Sequence, residues 1–143
     1  MEPLMRKKTG TRVLAAVSAM LAFGAGSAFA AEPTGLWFDH TGRGAVEITK
    51  CGAQLCGRLV WLKDPAHAKE VCGIQIIGDV KPMGNGAWDG GWIYDPERQS
   101  RFSVELTPVG PRSLKVVGYM GTKWLSETMM WTRAPADLKR CGA

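Results

Sequence analysis

Four cysteines are the residues of this 143-residue chain whose types and spacing most readily do chemistry. An even number of cysteines in an exported chain favours disulfides, and four allow three pairings. Cys51 and Cys56 flank a short segment between two apolar runs, which is typical of a hairpin turn that brings two thiols together across adjacent strands. That pair would leave Cys72 and Cys141 to bridge the C-terminal tail to mid-chain. A redox pair and a zinc site are the alternatives, although the spacing matches neither a Cys-x-x-Cys motif nor closely spaced zinc ligands.

Candidate catalytic groups are few. Neither His40 nor His67 lies in a nucleophile elbow or a metalloprotease helix motif. We therefore expect a protein that is not an enzyme and that holds no metal and no cofactor. An envelope hydrolase is the least favoured alternative, and it would require convergent titratable groups among Asp39, His40, Asp89 and Glu127.

Glu127 interrupts the pattern of the last predicted strand. It falls in phase with Leu125, Met129 and Trp131, which are apolar. Either a bulge shifts the register or a carboxylate points inward. An inward carboxylate would orient a ligand or pair with an arginine such as Arg58.

The N-terminal segment has the order of an export signal. A basic cluster at 6–12 precedes an uncharged apolar stretch at 13–30 that ends Ala28-Phe29-Ala30, with small residues at the positions that signal peptidase reads. We predict that residues 1–30 are a signal peptide cleaved after about Ala30, and that residues 31–143 form a single periplasmic or secreted domain. A membrane anchor is the alternative, but glycine and serine dilute the stretch.

Net charge argues against a nucleic-acid partner. The whole chain carries +5. Residues 1–30 hold four basic residues and one acidic residue, which leaves 14 basic and 12 acidic residues, a net charge of +2, in 31–143. Because a near-neutral domain without a run of lysine or arginine lacks the electrostatic footprint for phosphates, we expect no nucleic acid, and no transmembrane span after cleavage.

The rest of the chain reads as all-β. Phe102, Val104 and Leu106 alternate with polar residues, which predicts a half-buried strand. Similar segments, separated by Gly, Pro, Asn and Asp, predict about eight strands in an antiparallel up-and-down barrel, since closure removes exposed sheet edges. The predicted strands are at 36–39, 45–49, 55–62, 74–77, 92–94, 101–107, 114–119 and 124–133, with a short helix near 65–70.

Two short motifs add to this interpretation. Gly35-Leu36-Trp37 opens the first strand, and Trp131-Thr132-Arg133 closes the last. The pair resembles lipocalin and calycin barrels, and it implies that Arg133 packs across the ring of Trp37 and closes one end of the barrel. Gly35, Trp37, Trp131 and Arg133 are thus expected to be structural.

A longer resemblance covers the chain from Gly35 to Arg133. After the first-strand motif come Cys-Gly-x-x-x-Cys-Gly-x-x-Val-Trp-Leu at 51–62, Cys-Gly-Ile at 72–74, Trp-Asp-Gly-Gly-x-Ile-Tyr-Asp-Pro at 88–96, Leu-Lys-Val-x-Gly-Tyr at 114–119 and the closing Trp-x-Arg. In this order the motifs resemble the bacterial family called domain of unknown function 2147. The resemblance implies an exported, lipocalin-like barrel without an established activity, and it supplies no catalytic residues.

These observations favour a small periplasmic barrel that binds or carries a small apolar or amphipathic molecule. The alternative is a ligand-free structural or interaction module of the envelope, in which tryptophans fill the core. A connected cavity above roughly 300 Å³ would favour the carrier. The predicted ligand-facing residues are Trp61, Trp92, Phe102, Tyr119, Trp124, Glu127 and Met129.

Overall fold

Alternation of apolar and polar residues produces eight strands, and these strands close into one barrel. The computed structural model describes residues 31–142, so the predicted signal peptide lies outside the described residues. Each strand pairs antiparallel with the next, and β8 returns to β1, which confirms the predicted all-β barrel. The strands are β1 (Gly35–Phe38), β2 (Gly44–Cys51), β3 (Gln54–Leu62), β4 (Gln75–Pro82), β5 (Trp88–Asp95), β6 (Ser100–Val109), β7 (Ser113–Met120) and β8 (Thr122–Arg133).

Inward-facing side chains form a single apolar core. In β6, Val104 and Leu106 have no exposed surface, whereas Glu105 between them is partly exposed. Fully burying an aliphatic side chain of this size contributes about 1.5–3 kcal/mol. The core therefore holds the barrel wall in the register that decides which residues face its interior.

Trp37 closes one end of the barrel. Its ring is fully buried, and its Nε1 donates to the Pro33 carbonyl oxygen at 2.7 Å. The Arg133 guanidinium lies 3.7 Å from the centre of the ring and donates to the Thr34 carbonyl oxygen at 2.7 Å. Gly35 leaves room for this contact, since a Cβ there would overlap the guanidinium. The structure thus contains the Trp37–Arg133 contact that the two short motifs predict.

A short helix, α1 (Pro65–Val71), lies between β3 and β4. It begins where Asp64 accepts a hydrogen bond from the Ala66 backbone N–H at 2.9 Å. That hydrogen bond, together with one from His67, holds the pKa of Asp64 below its usual value. The helix places His67 at the end of the barrel opposite Trp37.

Two disulfides fix the ends of the fold. Cys51–Cys56 crosses the β2–β3 hairpin, and Cys72–Cys141 ties the C-terminal tail to the segment after α1. The tail is also held by a bidentate pair, in which Arg140 donates to Glu47 at 2.8 and 3.2 Å. These links lay the tail across the outside of β2 and β3. Within residues 31–142, no helix is long and apolar enough to span a membrane.

Candidate ligand-binding cavity

The barrel contains a cavity of about 1280 Å³. It opens at the end formed by the loops after β1, β3 and β5 and by the β7–β8 turn, opposite the end that Trp37 closes. This volume is larger than that of most small-molecule sites, roughly 300–1,000 Å³. The barrel interior is therefore not filled by side chains, contrary to what the ligand-free module predicts.

The inner wall of the cavity is apolar. Six of the eight strands, β2 to β6 and β8, contribute aliphatic, aromatic or thioether side chains to it. These residues are Val46, Leu59, Ile76, Ile93, Phe102, Met129 and Trp131. Two of them, Phe102 and Met129, are among the predicted ligand-facing residues. A wall of this kind accommodates an apolar group at little cost in lost hydrogen bonds.

The mouth of the cavity is charged. Arg98, in the loop after β5, donates to the Glu127 carboxylate at 3.2 Å, and this hydrogen bond raises the pKa of Arg98. In the neighbouring loop, Arg43 pairs with Glu97 at 3.0 Å. Both pairs are solvent-exposed, so they offer exchangeable partners to a polar group at the mouth.

Glu127 faces inward, in phase with Met129 and Trp131, and it lines the cavity. Of the two outcomes that its position in the pattern allows, the structure shows the inward carboxylate. Its partner is Arg98 and not Arg58, because Arg58 donates to the Gly73 carbonyl oxygen at 3.0 Å outside the cavity.

The β7–β8 turn forms an apolar lip on the cavity. Met120, Trp124 and Leu125 line the mouth and are 61%, 95% and 67% exposed. Isolated exposed apolar side chains are ordinary, whereas these three lie close together around one turn and border an apolar cavity, so they form a local apolar patch. Trp124, one of the predicted ligand-facing residues, lies at the entrance of the cavity.

A polar cluster on the barrel wall holds this lip. Lys123 pairs with Asp89 at 2.7 Å and with Glu105. The Tyr119 hydroxyl donates to Asp89 at 2.6 Å, which raises the pKa of Tyr119. Burial raises the pKa of Asp89, but hydrogen bonds from Lys123, Tyr119 and the Gly90 backbone outweigh it, so the net pKa is lowered. Tyr119, one of the predicted ligand-facing residues, borders the mouth of the cavity, but its hydroxyl belongs to this cluster on the wall.

Trp61 lies outside the cavity, which corrects its prediction as a ligand-facing residue. Val46 of β2 pairs with Leu59, and the neighbouring Ala45 pairs with Trp61, so Val60 is an extra residue in β3. Such a bulge reverses the faces of the residues beyond it. Trp61 consequently packs edge-to-face on Phe38, with ring centres 5.4 Å apart.

Trp92 also lies outside the cavity, again contrary to the prediction. Its ring occupies the space above its cross-strand partner Gly78, where an added Cβ would come within 2.5 Å of the ring. Its Nε1 donates to Asp79 at 2.9 Å, and the Arg101 guanidinium lies 3.9 Å from the ring centre. Ile93, which the sequence analysis did not single out, faces the cavity in its place.

The acidic residues considered for catalysis have separate partners. Asp39 accepts hydrogen bonds from the backbone N–H groups of Thr41 and Arg43, which shape the loop after β1. Asp89 belongs to the polar cluster and Glu127 to the mouth. In the part of the chain that the structure describes, no group of three potential metal ligands occurs.

Comparison with known families and structures agrees with this architecture. The sequence model of a family described as "Uncharacterized protein conserved in bacteria (DUF2147)" matches residues 35–133. No curated protein matches the chain significantly.

Among solved structures, protein HP1028 from the human pathogen Helicobacter pylori, described as belonging to the lipocalin family, is similar to this chain. The TM-score is 0.58 at 13% identity, over 73% of this chain and 84% of that one. At this identity the likeness shows a shared lipocalin-like fold and nothing finer.

Proposed function

This chain belongs to the uncharacterised bacterial family DUF2147, and we propose that it is a binding protein, not an enzyme, that holds or carries a small apolar or amphipathic molecule in the periplasm. The observation that carries this proposal is the cavity of about 1280 Å³, closed by Trp37 and Arg133 at one end and open at the other. Lipocalin-like barrels of eight strands are wide enough to hold one small ligand.

The distribution of polarity supports an amphipathic ligand in particular. The inner wall is apolar, while Arg43, Glu97, Arg98 and Glu127 gather at the mouth. The apolar portion of such a ligand would be buried in the cavity. Its polar portion would replace one partner of an exposed ion pair at the mouth, at a modest cost in free energy. Trp124 at the entrance supplies a large apolar surface over which such a molecule enters.

The four cysteines support a periplasmic location. Two disulfides are typical of exported proteins, and the predicted signal peptide at 1–30 agrees with them. An exported carrier would meet apolar molecules that leave or enter the envelope membranes. The family and the fold are consistent with this setting.

Purification of the full chain from a bacterial host tests the proposal. We expect native mass spectrometry to detect an added small-molecule mass, and a panel of fatty acids, lysolipids and quinones to raise the melting temperature. The combination of no added mass and an unchanged melting temperature across the panel would contradict it.

The alternative is an interaction module of the envelope, and the exposed lip favours it. Met120, Trp124 and Leu125 would then contact a protein, with the cavity playing no part. Substituting Trp124 with Ala would abolish partner binding in that case, whereas filling the interior would leave partner binding intact.

A further inference from the structure

The β7–β8 hairpin carries a bulge that presents the apolar lip. Tyr119 of β7 pairs with Ser126 of β8. The next residue on β7, Met120, pairs with Thr122, so residues 123–125 are extra residues in β8. A bulge of this kind breaks the alternation of faces along a strand. It therefore leaves two adjacent apolar residues, the Trp and the Leu of the lip, largely exposed.

A polar anchor fixes this bulge to the barrel wall. Lys123, the first residue of the bulge, forms ion pairs with Asp89 at 2.7 Å and with Glu105, and these two carboxylate side chains are only 13% and 18% exposed. The carboxylates belong to β5 and β6, so they hold one end of the bulge against neighbouring strands. Trp124, the next residue, is 95% exposed beside this anchor. The apolar lip is thus held out in solvent by contacts of the fold itself.

The small size and the position of the lip favour a lipid surface as its partner. A stable protein interface takes about 20–30 residues from each partner, whereas the lip offers three, Met120, Trp124 and Leu125. A bilayer requires no complementary shape, and tryptophan is enriched at the boundary between membrane and water. The lip also borders the open mouth of an apolar cavity, so a docked barrel would face the phase in which apolar molecules dissolve.

The charge at the mouth indicates which kind of lipid surface fits. Six acidic side chains line the cavity in or beside the loops of the mouth, against three basic ones, Arg43, Lys63 and Arg98. Both arginines are already paired with carboxylates, Arg43 with Glu97 and Arg98 with Glu127. Because the excess of negative charge repels anionic headgroups, docking must come from apolar contact and favours a zwitterionic surface.

We propose that the apolar lip docks the open end of the barrel on a zwitterionic lipid bilayer, with the Trp124 ring at the level of the headgroups and the cavity mouth facing the lipid. This inference goes beyond the proposed function, because docking requires no molecule in the cavity. A barrel docked in this way takes up or releases an apolar molecule without passing it through water.

Flotation of the full chain with vesicles of palmitoyl-oleoyl phosphatidylcholine tests the docking. The variants are Trp124→Ser and Met120→Ser in the lip. The matched control is Met83→Ser, at a similarly exposed methionine in the loop after β4, at the other end of the barrel. We expect the partition coefficient to fall about tenfold in Trp124→Ser and about threefold in Met120→Ser, and to stay unchanged in Met83→Ser.

Quenching by brominated phosphatidylcholine locates the contact. Bromine on the acyl chains should quench the fluorescence of the docked wild type. Trp124→Phe keeps an apolar ring at the lip, so it should still float with the vesicles but lose most of this quenching. Adding phosphatidylglycerol to the vesicles should not strengthen docking of the wild type.

Equal partition of the wild type and Trp124→Ser would overturn the inference. Stronger docking on vesicles that contain phosphatidylglycerol, or full quenching in Trp124→Phe, would also overturn it. So would a wild type that does not float with the vesicles, including one whose lip captures an envelope protein instead. The proposed function has its own readout in the added ligand mass and the melting temperature, so the two can fail separately.

Discussion

Gly118 on β7 lies directly opposite Glu127 on β8 in the barrel register. Both face the cavity, and a Cβ at Gly118 would meet only the end of Met129, 3.9 Å away. The missing side chain leaves space beside the carboxylate, and Arg98 reaches that carboxylate from the mouth. The Glu127 carboxylate is tolerated on the inner face because it lies at the solvent-exposed end of an otherwise apolar wall.

Removing the Arg133 guanidinium should weaken the closed end of the barrel. Arg133→Met loses the contact with the Trp37 ring and the hydrogen bonds to the Thr34 and Pro111 carbonyls. We expect a loss of about 2 kcal/mol in the free energy of unfolding, measured in urea. Arg112→Met is the control, because Arg112 is exposed, and it should change stability by less than about 0.5 kcal/mol. Equal effects of the two substitutions would contradict this role.

Gly78 should tolerate no side chain. In Gly78→Ala the new Cβ meets the Trp92 ring at 2.5 Å, so the ring moves and its hydrogen bond to Asp79 is strained. We expect destabilisation by about 1–3 kcal/mol, seen as a lower melting temperature. The matched Gly118→Ala has open space and should be nearly neutral. A stable Gly78→Ala would mean that Trp92 does not pack as described.

The two disulfides should differ in their contribution to stability. Loss of Cys72–Cys141, with a sequence separation of 69, should cost about 4 kcal/mol on the chain-entropy account. Loss of Cys51–Cys56, with a separation of 5, should cost about 2 kcal/mol. Urea unfolding of the two double Cys→Ser variants measures both. The reverse order would show that the tail contributes little to the folded barrel.

Stability should depend on pH through Asp89. Its pKa is lowered in the fold, so its contribution is present above its unfolded pKa, about 4, and is lost as pH falls through the lower folded value. Asp89→Asn should therefore flatten the fall in melting temperature below about pH 4. Asp137→Asn, at an exposed position, should leave that fall unchanged.

The same cluster also predicts a loss of stability as pH rises into the alkaline range, whereas the Asp89 contribution is lost as pH falls. The pKa of Lys123 is raised by its hydrogen bonds to Asp89 and then Glu105, and that of Tyr119 by its hydrogen bond to Asp89. Their contributions are present below about pH 10 and are lost as pH rises through the higher folded values. A melting temperature that stays constant into the alkaline range would contradict the cluster.

The barrel could be predicted from the sequence because its signals are local. Alternation such as that of Phe102, Val104 and Leu106 fixes which face is buried, and the turn residues fix where strands end. The same phase argument left two outcomes open for Glu127, a bulge or an inward carboxylate, and the regular pairing of Glu127 with Gly118 decides for the second. The Trp37–Arg133 contact, in contrast, came from resemblance, since the two residues are far apart in sequence.

The errors at Trp61 and Trp92 have different causes, and both lie in the pairing between strands and not in the sequence of one strand. An extra residue at Val60 reverses the phase of β3, and nothing in the local pattern marks it. Trp92 rests on Gly78 of the neighbouring strand, a relation set by register and not by the pattern of β5 alone. The pairing of Glu127 with Arg98, across 29 residues, likewise depends on which loops meet at the mouth.

The most direct test of ligand binding in the cavity is to fill it. Gly118→Phe places a ring inside the barrel, and Thr128→Phe places the same ring on the exposed face of the adjacent strand. Titration with N-phenyl-1-naphthylamine should show binding to the wild type and to Thr128→Phe, with affinity reduced at least tenfold in a folded Gly118→Phe. Equal affinity of all three proteins would place binding outside the barrel and contradict the account.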